Sequence, residues 1–206
     1  MHKLIIAIAA IILLSCHHDR KDEYTGKSIL PADTELKAGD IVFRCGTGML
    51  SQVVLNADDG TYSHVGIVVD SAGRKMVVHA VPDEPDFPDD PDRVKMEGID
   101  RFYDTGRAST GAVKRHRDAA AASKAAHAAK EMYRRNILFD HDFDDSDSTE
   151  LYCSELVERA YMKAGHDIAE GRRHQYQMPA ITPMAMSTKN QRLPSSIPKA
   201  APGFKI

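Results

Sequence analysis

The chain has 206 residues, with 27 basic and 30 acidic side chains and a formal net charge of −3 at pH 7. This length suits one compact domain with enough chain to bury a core. The slight acidic excess gives no positively charged surface of the kind that binds nucleic acid, so that class of partner is excluded.

The N-terminus has the organisation of an export signal. Met1-His2-Lys3 is a short positive start, and the apolar run from Leu4 to Leu14 suits a secretory signal but is too short to cross a bilayer as a helix. The run ends in Leu13-Leu14-Ser15-Cys16, which resembles a bacterial lipobox, in which the cysteine is lipidated and becomes the first residue. An ordinary cleaved signal with an incidental cysteine is the alternative.

We therefore expect a signal peptide over residues 1–15, a lipid-anchored tether over 16–35 and a single domain over 36–206. Acyl chains on Cys16 are expected to hold the exported protein at a membrane of the cell envelope, facing the periplasm or the exterior. We expect the domain itself to be a monomer.

The sequence of the first half of the domain predicts several strands and one short helix. A turn over 36–40 leads into a strand over 41–44, and a short helix is predicted over 49–55. Two further β-prone runs, 62–70 and 75–81, are joined by Ser71-Ala72-Gly73-Arg74, which predicts an antiparallel hairpin.

The second half contains the two longer predicted helices. Residues 82–91 are rich in proline and aspartate and predict a surface loop, whereas 94–103 fit no single class. Three further elements are a strand over 111–116, an alanine-rich helix over 117–135 and a helix over 153–164 that ends at Gly165. The proline-rich tail from 171 predicts loops. Because strands and helices do not alternate as βαβ units, the sequence predicts an α+β fold with an antiparallel sheet.

Cys153 opens the last predicted helix. A cysteine in the first turn of a helix lies near the positive end of the helix dipole, which predicts a lowered thiol pKa and backbone N–H groups for a developing oxyanion. Two structural alternatives remain: Cys153 faces the apolar side of its helix and could be a buried small residue, or it could form a disulfide with Cys45.

Each strand of the predicted hairpin contains one histidine. His64 lies near the start of the strand over 62–70 and is a general-base candidate if Cys153 lies nearby, since imidazole titrates near neutral pH. His79 lies fifteen residues later on the next strand, where it could orient the His64 ring as the third member of a triad. A structural role for either histidine is the alternative from spacing alone.

Three motifs resemble the circularly permuted NlpC/P60 papain-like group, the YiiX-type cysteine hydrolases. They are GDIVFR at 39–44, YSHVGIV at 62–68 and YCSELV at 152–157, within a likeness that covers roughly residues 36 to 190. As in that group, the histidine strand precedes the cysteine helix, the reverse of ordinary NlpC/P60 enzymes. The resemblance implies a small papain-like α+β fold, a small antiparallel sheet or barrel packed against helices, with Cys153 as nucleophile and His64 as base.

One position departs from the group, which usually has a glutamate where this chain has His79. An imidazole can hold His64 by a hydrogen bond, but it supplies no negative charge to stabilise the imidazolium form. The sequence therefore leaves open whether another group completes the site.

The remaining motifs predict no metal or cofactor. The acidic run 140–147 lacks the glycine and glutamate of a calcium-binding EF-hand loop and is interpreted as a solvated loop, and the histidines follow neither zinc pattern, HExxH nor CxxC. Gly46-Thr47-Gly48 is interpreted as a turn beside the groove, and three substrate contacts are proposed nearby: Ser51, Tyr62 and Ser63.

The sequence thus predicts an envelope-anchored cysteine amidase or peptidase that forms a thioacyl intermediate with a peptide-like or acyl-amide substrate, for which peptidoglycan stem peptides are one candidate. Two alternatives remain open. One is a lipid or N-acyl amidase or acyltransferase that uses the same cysteine and histidine. The other is an inactive binding module of the envelope, with His79 as a sign of a decayed triad.

Overall fold

A single antiparallel sheet organises the domain. The computed structural model describes residues 26–58, 61–144, 146–168 and 204–205. Its strands are β1 (Ile41–Gly46), β2 (His64–Ser71), β3 (Arg74–Val81), β4 (Arg93–Gly98), β5 (Ala108–His116) and the two-residue β6 (Phe204–Lys205). They are ordered β4-β3-β2-β1-β5-β6, and every pairing is antiparallel. The predicted α+β fold is confirmed, and the sheet is open rather than closed into a barrel.

Within the described ranges, four helices accompany the sheet: α1 (Met49–Asp58), α2 (Ile99–Phe102), α3 (Ala119–Arg134) and α4 (Cys153–Lys163). The start of α3 is fixed by Asp118, whose carboxylate accepts hydrogen bonds from the backbone N–H groups of Ala120 and Ala121. Gly165 follows α4 with a φ of +87°, the left-handed conformation that commonly ends helices. The predicted helices over 117–135 and 153–164 are therefore confirmed to within two residues.

The two faces of β2 are buried in two separate cores. Val65, Ile67 and Val69 belong to the larger core under α3 and α4, whereas Val68 belongs to a smaller core with Phe102 on the opposite face. Because side chains alternate across a strand, His64 points to the same face as Val68. The sheet is thus covered on both sides where the two histidines lie.

The segment over 94–103, which fits no class in the sequence, divides into β4 and α2. Lys95 and Glu97 of β4 are buried, at 2% and 6% exposure, so polar residues occupy positions where a strand pattern calls for apolar ones. These two side chains form ion pairs with the loop before β4 and with neighbouring arginines.

The acidic run over 140–147 differs from the predicted solvated loop at Asp140. This carboxylate is buried and accepts hydrogen bonds from the backbone N–H groups of Asp142, Phe143 and Asp144. Asp140 therefore shapes the turn that leads to α4, because a short acidic side chain can satisfy several backbone donors at once.

The predicted signal peptide and the first half of the tether, residues 16–25 with Cys16, lie outside the described residues, as does most of the proline-rich tail. In the part of the chain that the structure describes, no helix has both the length and the apolarity that crossing a bilayer requires.

Candidate active site

Cys153 is the first residue of α4, and Tyr152 before it is extended, so the backbone turns sharply at the thiol. The side chain is half-buried, and its sulfur lies against the backbone N–H groups of Val65 and Ser154. Burial raises the pKa of Cys153, and these N–H groups oppose the rise without cancelling it. The lowered thiol pKa predicted from the helix end is therefore wrong for the resting protein.

His64 is the first residue of β2, and its ring is held by His79 from the neighbouring strand. Nε2 of His64 lies 2.8 Å from Nδ1 of His79, and the two rings meet edge to face with centroids 5.1 Å apart. Phe102 packs against both rings, at 5.7 Å and 5.4 Å between centroids. The predicted contact between the two histidines is confirmed, and it leaves Nδ1 of His64 as the nitrogen available for chemistry.

The pKa of His64 is lowered well below its ordinary value, first by burial and then by the charge of Arg44 and the neighbouring His79. Arg44 is held close by stacking on Phe102, with its guanidinium carbon 4.8 Å from the ring centroid, and by its bond to the Phe102 carbonyl. Both shifts favour the uncharged forms of the thiol and the imidazole over a thiolate–imidazolium pair.

The tip of α4 meets β2 where that strand is not yet paired with β3. Pairing between β2 and β3 begins only at Ile67 and Val78, so the backbone of Val65 is open to the thiol. Among the described contacts, no hydrogen bond joins the Cys153 sulfur to the His64 ring, which lies on the face that packs against Phe102. The sulfur does reach the residue next to His64. Catalytic hydrogen bonds are often long before substrate binds, so the catalytic pairing stays a prediction.

A residue that the sequence did not single out lies behind His79. Oε1 of Glu97, on β4, is 3.2 Å from Nε2 of His79, and both side chains are buried. Burial by itself raises the pKa of Glu97, but His79, Arg107 and Arg44 outweigh it and lower the pKa to about 2. The pairing of β3 with β4 brings Glu97 here, and that register depends on an irregular loop, so no local motif could have revealed it.

The three proposed substrate contacts lie near the end of β1, around Gly46. A Cβ atom at Gly46 would lie 2.1 Å from Oγ of Ser51 and 3.3 Å from Oγ of Ser63, so both serines crowd this glycine. The Ser63 hydroxyl accepts a hydrogen bond from the Gly46 N–H and is buried, which makes it part of the framework. Tyr62 packs on Phe43 with ring centroids 5.7 Å apart. Contact of these residues with substrate stays a prediction.

Cys45 and Cys153 are both free thiols, so the alternative of a disulfide between them is wrong for this structure. Within the described ranges, no group of three or more histidine, cysteine, aspartate or glutamate side chains is arranged to hold a metal ion. A cavity of about 140 Å³ lies against α3 and the C-terminal half of α4, away from Cys153.

Comparison with known proteins agrees with this architecture. The crystal structure of metalloprotein YiiX from Escherichia coli O157:H7 is similar in fold, with a TM-score of 0.53 and 23% sequence identity over 66% of this chain and 70% of that one. No curated protein sequence matches. Residues 35–177 match the model of the family described as permuted papain-like amidase enzyme, YaeF/YiiX, C92 family, and the chain therefore belongs to this family of cysteine amidases and peptidases.

Proposed function

We propose that this protein cleaves amide bonds of peptide-like or acyl-amide substrates at the envelope, with Cys153 as nucleophile and His64 as general base. The observation that carries the proposal is the meeting of the α4 tip with the start of β2, where the Cys153 sulfur lies against the Val65 N–H and the adjacent His64 is held by His79. Family membership supplies the class of reaction.

In the proposed reaction, substrate binding brings the thiol proton to Nδ1 of His64 while the sulfur attacks the amide carbonyl and forms a C–S bond. The proton then passes from Nδ1 to the leaving amine as the C–N bond breaks, which leaves a thioacyl enzyme. Water attacks this thioester, His64 takes a proton from the water, and the C–S bond breaks to release the carboxylic acid and return the proton to sulfur. The backbone N–H groups at the α4 tip stabilise the oxyanion in both steps.

The uncharged resting pair fits this order of events. Because the thiol pKa is raised and the imidazole pKa is lowered, proton transfer before substrate binding is unfavourable. Attack and proton transfer are then coupled, and the charged pair forms only when substrate binding and the growing oxyanion stabilise it.

Aromatic side chains beside the thiol give the lipid or N-acyl amide alternative a specific basis. Tyr152 precedes Cys153 and packs on Phe143 with centroids 5.5 Å apart, and Phe43 of β1 packs on Tyr62, which lies just before β2. These half-buried rings offer apolar surface that would suit an acyl chain as well as a peptide side chain. The reaction is the same in both cases, and only the substrate differs.

Envelope anchoring is part of the proposal and is supported by the sequence of residues 1–16, where an apolar run ends at Cys16. An alkyne fatty acid fed to expressing cells should label the wild-type chain in the membrane fraction. Replacement of Cys16 by Ala should remove the label, and unchanged labelling would rule out lipidation at this residue.

The activity is tested by incubating the wild-type protein and the Cys153→Ser variant with muropeptides and, separately, with N-acyl amides, and by identifying products by mass spectrometry. We expect wild-type protein to cleave one substrate class and the variant to lose at least about 10³-fold in rate, because serine is a far weaker nucleophile here. Cys45→Ser is the matched control and should keep its activity. Equal products from wild type and Cys153→Ser would overturn the proposal, and silence on both classes would favour the binding module.

A further inference from the structure

Glu97 and His79 form a buried pair whose facing atoms have no other hydrogen-bond partner among the described residues. Their facing atoms, Nε2 of His79 and Oε1 of Glu97, are 3.2 Å apart, although the N–H direction is not aligned as in an ideal hydrogen bond. Neither atom has a hydrogen-bond partner elsewhere among the described residues, and both are shielded from solvent. Each atom is therefore the natural partner of the other, because leaving both groups unpaired in the interior is costly.

The sheet register sets this contact. Val77 pairs with Glu97 and His79 pairs with Lys95, so His79 and Glu97 are diagonal neighbours on one face of the β3–β4 ladder. The other carboxylate oxygen of Glu97 is occupied by Arg107 at 3.1 Å and Arg101 at 3.2 Å. One oxygen of Glu97 thus binds cations, and the other is directed to His79.

An ionised carboxylate can only accept hydrogen bonds, and this fixes the protons on both rings. With Glu97 ionised, Nε2 of His79 must carry the hydrogen. In its neutral form His79 has one N–H, so its Nδ1 accepts, and Nε2 of His64 then donates across the 2.8 Å contact. Nδ1 of His64 is then left without a hydrogen, which is the state that a general base requires.

We propose that Glu97 is a positioning residue that selects, through His79, the tautomer of His64 in which Nδ1 is the free base. The proposal deepens the proposed function, on which it rests, by adding a fourth residue, and it accounts for the histidine at position 79. His79 has no negative charge, but it connects His64 to one. When His64 accepts the thiol proton, the Glu97 carboxylate at the far side of His79 stabilises the positive charge.

Removal of the charge should change the proton arrangement. A glutamine at position 97 could donate its amide N–H to Nε2 of His79, which would move the His79 hydrogen to Nδ1. Nδ1 would then donate to His64, and the only hydrogen of His64 would lie on Nδ1, where it blocks base catalysis. Because glutamine has nearly the same shape as glutamate, we expect this variant to keep the wild-type fold.

The test reads the tautomers directly, by two-bond ¹⁵N–¹H correlation spectra of the full-length chain labelled at histidine, with the signals assigned through His64→Gln and His79→Gln variants. In wild-type protein we expect hydrogen on Nε2 and none on Nδ1 for both rings. In Glu97→Gln we expect Nδ1–H forms to be populated at both rings, with a fall of about 10- to 100-fold in kcat/KM on the cleaved substrate. Glu97→Asp keeps the charge and should keep the wild-type tautomers.

Glu84→Gln is the matched control. Glu84 belongs to the same ion cluster, since it pairs with Arg44 and, at 2.8 Å, with Arg107. It makes no described contact with either imidazole. The variant should leave both tautomers as in wild type. An Nδ1–H signal from His64 in wild-type protein, or unchanged tautomers in Glu97→Gln, would overturn the proposal. The tautomers are read without turnover, so a protein with the expected tautomers that cleaves no amide would refute the proposed function and leave the role of Glu97 standing.

Discussion

The histidine at position 79 departs from the usual pattern of the permuted group, which has a glutamate there. Replacing His79 by Glu would place a second carboxylate beside Glu97, whose Oε1 is 3.2 Å from Nε2 of His79 in a buried setting. Two buried carboxylates repel, so we expect His79→Glu to lower the free energy of unfolding by an amount on the order of 3 kcal/mol. Urea unfolding at pH 7 measures this change.

The double variant His79→Glu, Glu97→Gln is the control for this prediction. It has one carboxylate in the site, and we expect it to recover most of the lost stability, since glutamine can donate an N–H to the new glutamate. Additive losses in the double variant would show that the two side chains do not interact.

The catalytic candidates could be predicted from the sequence because each lies in a short local motif. Cys153 and His64 begin a helix and a strand whose patterns are clear, and His79 lies on the other strand of a hairpin with a short turn. Glu97 could not be found in this way, because 11 irregular residues separate β3 from β4 and leave their register undetermined by the sequence. The raised thiol pKa was also missed, since burial is a tertiary property.

At the scale of elements, the approach of α3 to the sheet depends on a glycine before β1. Gly39 has a φ of +87°, and a Cβ atom there would lie 2.3 Å from the backbone carbonyl oxygen of Ala122 in α3. Its carbonyl also accepts a hydrogen bond from the Tyr161 hydroxyl of α4, at 2.6 Å. One residue therefore sets the distance of both packed helices from the strand edge.

We expect Gly39→Ala to destabilise the domain by backbone strain of about 1–2 kcal/mol and by overlap with α3 of about 1–3 kcal/mol more. Gly73→Ala is the matched control, because Gly73 has a φ of +74° but no atom near its missing Cβ. It should show the strain alone. Chemical unfolding of both variants measures the difference, and equal losses would mean that α3 moves aside without cost.

Elements with strong local signals agree between sequence and structure, and those without them do not. The alanine-rich α3 begins at its Asp118 cap, and the hairpin of β2 and β3 turns at Ala72 and Gly73, which both have positive φ. The strand β4 gives no such signal, since its buried Lys95 and Glu97 make it look polar. These buried charges are stabilised by ion pairs across the fold, which local periodicity does not report.

At the scale of the whole molecule, stability depends on buried groups whose pKa values shift in opposite directions. The pKa of Glu97 is lowered to about 2, so its contribution is present above the ordinary value of 4.5 and is lost as pH falls towards 2. Burial raises the pKa of Glu155 to about 7, against the opposing effect of Arg159. Its folded form holds a proton that the unfolded chain releases, so this contribution is lost as pH rises from 4.5 through 7.

The pH dependence of stability that comes from His64 has the opposite sign to that of Glu155 in part of the range between pH 4.5 and 7. Because the pKa of buried His64 is lowered, its contribution is present above its unfolded value of 6.5 and is lost as pH falls below it. The total stability of wild-type protein should therefore rise between pH 2 and 4.5 and change less between 4.5 and 7. The individual contributions are visible only as differences between variants.

We expect Glu155→Gln to gain stability relative to wild type as pH rises from 4.5 to 8, by up to about 3 kcal/mol, because the variant has no buried carboxyl to ionise. Loss of the bond from Arg159 to Glu155 shifts the free energy of unfolding of the variant by an amount that is nearly independent of pH. The change of the difference with pH, rather than its size at one pH, therefore reports the ionisation of Glu155. Urea unfolding of both proteins at four pH values measures it. Glu131→Gln, which removes a 45% exposed partner of Arg134 on α3, is the control for the same substitution at an exposed position. Parallel curves for Glu155→Gln and wild type would show that Glu155 ionises in the folded protein as it does in water.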